Sequence, residues 1–471
     1  MLFHSPEFMA LMLLTLLLYA AVPKARTAVL AVANAVFYGM SGFSYLLLFM
    51  AVLSFTHLCA VGTRGRAPKL WLTLGIIANL ANLFTFKYTG FAATNLDRLL
   101  HLGIDPAKWQ LILPVGISFY TFHLIAYLVD VYRGVIPPAR NLLECWVFTA
   151  FFGQLIAGPI MRGEQFLPQI INAPQQELRW EQFKYGVFLF VLGMGKKVLL
   201  ADNLSPRTEN FFASWTTLNG LEAWIAGWLF AFQVYYDFSA YSEMALGIGH
   251  MFGLELAINF RTPYLAANPS EFWKRWHITL STWIRDYLYI PLGGSRKGNF
   301  RAYANLVAAM ALSGLWHGAA WTFVAWGLFH GGLSALHKLW TVHVVERLER
   351  GWRYSRTARW VSVFLMFQAT TVGWIFFRAP SIHPALTLLG RMLNPALWHL
   401  TPLAARYLPV MAALYLLHVA EFWVRERESA IYALWTRLVP SPVRALAYTA
   451  VGALLLVMTE LEQVNFIYFR F

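Results

Sequence analysis

Long stretches without a formal charge constrain this chain more than any other feature. Residues 27–63, 71–86, 109–129, 145–161, 302–337, 360–377, 407–420 and 445–459 contain no Asp, Glu, Lys or Arg. A membrane-spanning helix needs about 20 predominantly apolar residues, so each run reads as one or more membrane helices, some short enough to tilt or re-enter. Residues 27–63 suffice for two passes, with Gly39, Ser41 and Gly42 as the turn between them. Composition agrees: 13% of residues are charged, against about a quarter in soluble domains, and mean hydropathy is +0.52. A soluble enzyme, a disordered chain and a collagen are excluded. The expected fold is all-α and polytopic, with roughly 11–14 membrane or re-entrant helices. With no long linker, low-complexity tract or internal repeat, residues 1–471 read as one membrane domain.

Lys and Arg exceed Asp and Glu by 37 − 23 = 14. They punctuate apolar runs instead of forming an aromatic-interleaved patch, so no nucleic-acid partner is expected; the lipid bilayer is. Cys59 and Cys145 lie inside apolar stretches and form neither a disulfide framework nor a metal site. The first apolar run, Phe8 to Val22, follows Glu7 and no Lys or Arg, which reads as a retained helix and not a signal peptide. Lys24 and Arg26, then Arg64, Arg66 and Lys69, then Arg133 and Arg140 recur after every second pass. By the positive-inside rule this places the N-terminus outside. The stretch 338–359, with Lys338, Arg347, Arg350, Arg353, Arg356 and Arg359 against Glu346 and Glu349, also reads as cytoplasmic.

Between Asn259 and Arg301 the pattern breaks, with seven Lys/Arg, two acidic residues and many aromatics. Asn268-Pro269-Ser270-Glu271 is a helix start, with Asn as N-cap, Pro at the first helical position and Glu reaching back. At about 100° per residue, one continuous helix would gather Trp273, Trp276, His277, Leu280, Ile284, Tyr287 and Leu288 on one face. Its other face would carry Glu271, Lys274, Arg275, Thr282, Arg285 and Asp286. The bland reading of His277 is a histidine bonded among aromatics on an interfacial helix.

A second histidine, His317, stands in Ser313-Gly314-Leu315-Trp316-His317-Gly318, within the uncharged run 302–337. The two glycines permit bent backbone and close approach of another segment. An ionisable group at membrane depth suggests function, and an imidazole there could take the proton of a hydroxyl attacking an acyl donor. The competing reading is a core histidine bonded to a backbone carbonyl. Glu222, Asp237, Glu243 and Glu255 interrupt an otherwise apolar stretch and would line a cavity or a proton path, or simply hold helices together. His123, His330 and His337 lack metal spacing and are assigned to packing. No nucleotide-binding loop, nucleophile elbow or metal motif occurs.

Taken in order, several segments form a familiar series: Leu113-Pro114-Val115-Gly116-Ile117-Ser118-Phe119-Tyr120, Asp130-Val131-Tyr132-Arg133-Gly134, Ala157-Gly158-Pro159-Ile160, Tyr236-Asp237-Phe238-Ser239, Glu271-Phe272-Trp273-Lys274-Arg275-Trp276-His277, Ile284-Arg285-Asp286-Tyr287-Leu288-Tyr289, Leu315-Trp316-His317-Gly318 and the terminal Phe466-Ile467-Tyr468-Phe469-Arg470-Phe471. The series resembles the membrane-bound O-acyltransferase (MBOAT) family, and most of all its bacterial alginate O-acetyltransferase branch. Ala240 stands where a Gly is common in that branch, and Glu243 where an Asp is common.

The resemblance implies helices ringing a central tunnel in the bacterial inner membrane, with His317 matching the family's catalytic histidine and His277 its second signature position. It implies acetyl transfer from a cytoplasmic donor, acetyl-CoA, towards an extracytoplasmic polysaccharide such as alginate, with a periplasmic partner protein or small carrier and no metal. Lys274, Arg275, Arg285, Arg296 and Lys297 would attract the phosphates of coenzyme A, with Trp276 and Trp316 beside the donor, although the positive-inside rule explains the same charges. Acetylation of cellulose or peptidoglycan, D-alanyl transfer from a carrier protein, and a non-enzymatic polysaccharide transporter are the alternatives.

Overall fold

The computed structural model describes residues 3, 5–156, 158–296, 298–344 and 355–461. Among these no β-strand occurs. Five helices are long and apolar enough to cross a membrane: Phe43–Gly62, Pro68–Lys87, Arg356–Arg378, Pro402–Arg425 and Ser441–Met458. Only 11% of the last span is buried, and Leu446, Leu454 and Val457 point outward from it. A helix apolar on its exposed faces is at home in lipid. The chain is therefore a polytopic, all-helical membrane protein.

Two compact units interleave in sequence. The first contains residues 1–194 and 240–258, the second 195–239 and 259–471. The first unit includes α1 (Pro6–Ala21), α2 (Arg26–Gly39), α3 (Phe43–Gly62), α4 (Pro68–Lys87), α5 (Thr89–Leu100), α6 (Ile117–Arg133) and α7 (Leu142–Ala150). The turn expected at Gly39 to Gly42 is present, with Gly42 at φ +135°. Phe49 of α3 stacks on Tyr120 of α6 at 4.1 Å and 15°. Polar side chains join helices where lipid offers no partner: Asn79 Nδ2 donates to Thr56 Oγ1 at 2.8 Å, and Trp146 Nε1 to the Ala31 carbonyl at 3.0 Å.

One expectation is corrected here, and one apolar run resolves into separate pieces. Arg26, counted above as a loop charge, is 5% exposed. Its guanidinium donates to the carbonyls of Tyr19, Ala173 and Gln176, so it closes exposed carbonyls of neighbouring turns. The run 145–161 is not one helix. After α7 comes a single turn, α8 (Phe152–Leu155), because Asn34 Oδ1 takes the Phe152 N–H at 3.0 Å. Beyond it Gly158 approaches Gln154 so closely that a Cβ would lie 2.2 Å from Gln154 Cα.

The connection continues through α9 (Gly163–Asn172), α10 (Trp180–Gly195), a π-helical turn Lys196–Ala201, α11 (Asp202–Ala213) and α12 (Gly220–Met251). The second unit then adds α13 (Pro269–Trp273), α14 (Ile278–Ile284), α15 (Asn299–His317), α16 (Trp321–His343), α17 (Arg356–Arg378), α18 (Ile382–Met392), α19 (Pro402–Arg425), α20 (Glu428–Leu438) and α21 (Ser441–Leu461). The uncharged run 302–337 folds as a helical hairpin of α15 and α16. Small residues let the two backbones touch, a device that membrane helices favour. A Cβ on Gly327 would sit 2.2 Å from the Met310 carbonyl oxygen, and one on Gly331 2.8 Å from Val307 Cα.

The continuous helix expected from Pro269 is also corrected. Its start is as read, with Asn268 Oδ1 accepting the Glu271 N–H at 2.9 Å and Glu271 Oε2 accepting the Ala267 N–H at 2.9 Å. It stops after Trp273. The segment 259–261 competes for the backbone that follows: Arg261 N–H donates to the Arg275 carbonyl at 2.9 Å, and Ile278 N–H to the Asn259 carbonyl at 3.0 Å. Helix resumes as α14 and ends in a π-helical turn, Arg285–Tyr289.

Candidate active site

His317 is the last residue of α15, and 4% of it is exposed. Gly318 follows in extended conformation (φ −160°, ψ 148°), and α16 begins three residues later. A Cβ on Gly318 would lie 2.1 Å from Phe323 Cε2, so only glycine fits the tip of this hairpin. The His317 imidazole faces three aromatic rings almost edge-on: Trp316 at 5.0 Å and 72°, Trp326 at 5.1 Å and 84°, and Phe377 at 5.2 Å and 69°. Trp374 and Phe323 pack in turn on Phe377, at 5.3 and 4.9 Å. Helices α15, α16 and α17 thus enclose one imidazole in a low-dielectric wall.

His277 is completely buried and has a left-handed backbone, φ +40° and ψ +57°. A non-glycine residue there costs on the order of 1–3 kcal/mol and persists only when its surroundings enforce it. Asn259 does so, its Oδ1 accepting from Thr279 Oγ1 at 2.6 Å and from Thr279 N–H at 3.3 Å, just beyond His277. The His277 ring stands at 89° to Phe238, 4.7 Å away, and 6.5 Å from Trp316. Both histidines therefore contact the indole of Trp316. Among the described residues neither ring nitrogen of His277 has a hydrogen-bond partner.

The donor-binding candidates separate into distinct environments. Trp276 is core, 4.9 Å from Trp374 and stacked on Phe272 at 5.8 Å and 10°. Arg275 gives Nε and Nη2 to Glu271 Oε1, at 3.1 and 2.8 Å, and Arg359 approaches the same oxygen at 3.4 Å. Arg285 is paired with Asp286 at 2.7 Å, and that hydrogen bond raises its pKa. Lys274 and Arg296 are exposed. Lys297, Ala157, the stretch 345–354 and the terminal segment 466–471 lie outside the described residues. Among the described residues no group of three His, Cys, Asp or Glu is placed to hold a metal ion.

Several other polar residues singled out in the sequence hold segments together. Asp237 and Asp202 flank Lys197 Nζ at 2.8 and 2.7 Å, in full burial, and the π-helical turn brings the lysine there. Glu222 accepts from the Asn219 N–H at 2.9 Å and from Thr401 Oγ1 at 2.6 Å. His123 Nε2 accepts the Met161 N–H at 3.0 Å. Glu255 is exposed. Sequence reasoning missed Asn259, Trp326, Trp374 and Phe377. Nothing in their local spacing sets them apart from ordinary polar or aromatic residues.

A buried imidazole walled by aromatic edges, beside a second strained histidine, suits proton transfer to and from a hydroxyl in a site that excludes water. Comparison with known proteins fixes the class. The profile of the membrane-bound O-acyltransferase family matches residues 139–373, a stretch that holds both histidines. The "Probable alginate O-acetylase AlgI" of Azotobacter vinelandii is 40% identical over 412 residues, covering 86% of this chain and 80% of the relative. The "Peptidoglycan O-acetyltransferase" of Helicobacter pylori is 35% identical over 410 residues, covering 80% and 76%. The "Teichoic acid D-alanyltransferase" of Streptococcus thermophilus is 25% identical over 282 residues, covering 56% and 68%. The chain belongs to the membrane-bound O-acyltransferase family, and it is an O-acyltransferase.

Proposed function

We propose that this protein transfers acetyl from a cytoplasmic thioester, acetyl-CoA, for the O-acetylation of an extracytoplasmic polysaccharide, from the bacterial inner membrane with its N-terminus outside. The observation that carries the reading is the burial of His317 at the tip of the α15–α16 hairpin among Trp316, Trp326 and Phe377. Such an enclosure suits a reactive thioester, because water would otherwise hydrolyse it. His317 acts as general base: the acceptor hydroxyl gives it a proton while its oxygen attacks the thioester carbonyl, and the thiolate that leaves takes the proton back. His277, across Trp316, donates an N–H to the developing oxyanion. Lys274 and Arg296, exposed on the basic segment 261–301, attract the coenzyme A phosphates. The acetylase names carried by the more similar relatives support acetyl over D-alanyl, since the D-alanyltransferase likeness is weaker and shorter.

The test is reconstitution in liposomes with acetyl-CoA on the face that bears Lys274. Thiol release coupled to ester formation on a hydroxyl acceptor is the expected result. A sugar flux without thioester turnover would replace this reading with a transporter.

A further inference from the structure

Trp326, which borders His317, also touches a third histidine that packing alone does not explain. His330 is one turn further along α16 and completely buried. Its ring contacts Trp326 at 4.9 Å, Trp273 at 5.3 Å and Phe329 at 5.4 Å, and stacks on Phe272 at 6.0 Å and 7°. Helix α17 presses on it from another side, at a residue without a side chain: a Cβ on Gly373 would lie 2.6 Å from His330 Nε2. Neither nitrogen of His330 has a partner among the described residues, and neither do the buried indole nitrogens of Trp273 and Trp326. An apolar residue would fill this space without the desolvation cost of an imidazole. Unmet buried polar atoms are costly, and proteins rarely leave them unmet.

The groups are chemically complementary. Two indoles can only donate, whereas a neutral imidazole offers one donor and one acceptor. A single water between them would accept both indole N–H groups and donate to the imidazole, which would give it the three polar partners an internal water needs. We propose that His330 is a positioning residue of the acyl-transfer site: with Trp273 and Trp326 it binds one internal water, and through that water it holds the Trp326 indole against the ring of His317. Trp326 then fixes the orientation of the imidazole that takes the proton. This rests on His317 being the general base.

The full-length protein, reconstituted with acetyl-CoA, supplies the test through three variants and a cycle. His330→Leu removes the polar atoms, His330→Gln restores a donor and an acceptor, and Trp326→Phe keeps a ring but loses the N–H. His330→Leu should lower kcat by roughly 10- to 100-fold, the scale of a slightly misplaced catalytic group, with the KM for acetyl-CoA nearly unchanged. His330→Gln should recover most of that loss. The double variant His330→Leu/Trp326→Phe should be no slower than the slower single variant, because both remove the same linkage. Full activity in His330→Leu, equal loss in the Leu and Gln variants, or effects that multiply in the double variant would each overturn the proposal. If His330→Leu does not accumulate, Trp326→Phe decides alone, and an unchanged kcat there overturns it. His317→Ala is measured in parallel. Full activity in that variant removes the general base and not the coupling of His330 to Trp326, which the cycle still reads.

Discussion

Gly314 lies so close to Phe323 that a Cβ on the glycine would sit 2.1 Å from the phenylalanine carbonyl oxygen. This contact fixes the α15–α16 hairpin three residues before His317, and the same packing recurs at Gly327 and Gly331. Neighbouring glycines separate this effect from glycine's general flexibility. Gly331 meets Val307 Cα at 2.8 Å, whereas a Cβ on Gly332 would meet nothing within 4 Å. Gly331→Ala should therefore destabilise the protein by about 1–3 kcal/mol through overpacking. Gly332→Ala should be neutral or slightly stabilising. Thermal midpoints in detergent give the comparison, and equal midpoints for the two variants would refute close backbone contact.

His317→Ala should leave the protein inserted and folded while acyl transfer falls by about 10²-fold or more, the lower scale of general-base catalysis. His277→Ala should cost as much or less, but not nothing. Rates of thiol release from matched amounts of reconstituted protein measure both. Normal turnover by a well-folded His317→Ala variant would remove this residue from the chemistry.

The backbone clamp at Asn259 predicts a coupled effect. Asn259→Ala frees Thr279 and relaxes the left-handed backbone of His277, so activity should fall roughly 10-fold or more through misplacement. Adding His277→Ala should then cost less than it does in the native protein, because both changes disable one element. Independent, multiplying effects on kcat would show that Asn259 serves the fold and not the placement of His277.

Lys197 between Asp202 and Asp237 predicts a stability effect away from the chemistry. Removing the lysine leaves two buried carboxylates facing each other, and breaking a buried ion pair costs about 3–5 kcal/mol. Lys197→Met should thus unfold at markedly lower temperature or fail to accumulate. Adding Asp202→Asn and Asp237→Asn should recover much of the loss. No recovery in the triple variant would mean that the aspartates have partners that matter more than the lysine.

The sequence disclosed helices more readily than their interruptions. Charge-free runs mark α3, α4, α17, α19 and α21 because lipid demands apolar side chains on every exposed face. The start of α13 was legible for a local reason, since Asn268 accepts the Glu271 N–H and Glu271 accepts the Ala267 N–H within four residues, with Pro269 at the first helical position. Its end was not. The break before His277 comes from Asn259 and Arg261, which are distant in sequence, and a helical periodicity carries no trace of a competing backbone. Arg26 shows the same limit, because a topogenic surface charge and a buried carbonyl cap look alike in one dimension. The two candidate histidines were singled out through resemblance and residue chemistry. Their aromatic walls were not, because Trp326, Trp374 and Phe377 are unremarkable in a chain with 20 Trp and 37 Phe.

The last prediction concerns the acceptor. The segment between Lys87 and Lys108, which lies outside in the proposed topology, reads as one of the longer ones there, yet it folds only into the short α5 and a turn at Pro106–Trp109, too little to build a cleft for a polymer. Around it Leu99, Leu100, Leu102, Trp109 and Ile112 are exposed, an apolar surface suited to a partner. A single hydroxyl reaches a buried imidazole such as His317 far more readily than a polysaccharide chain does. The immediate acceptor is therefore expected to be a small carrier or a serine of a periplasmic partner, which acetylates the sugar in a second step. Liposomes holding this chain alone, with acetyl-CoA on the proposed cytoplasmic side and deacetylated polysaccharide on the other, should neither release thiol above background nor efficiently acetylate the polymer until a partner bearing the acceptor hydroxyl is added. Efficient polymer acetylation without any partner would show that the sugar reaches His317 directly, and the two-step scheme would fall.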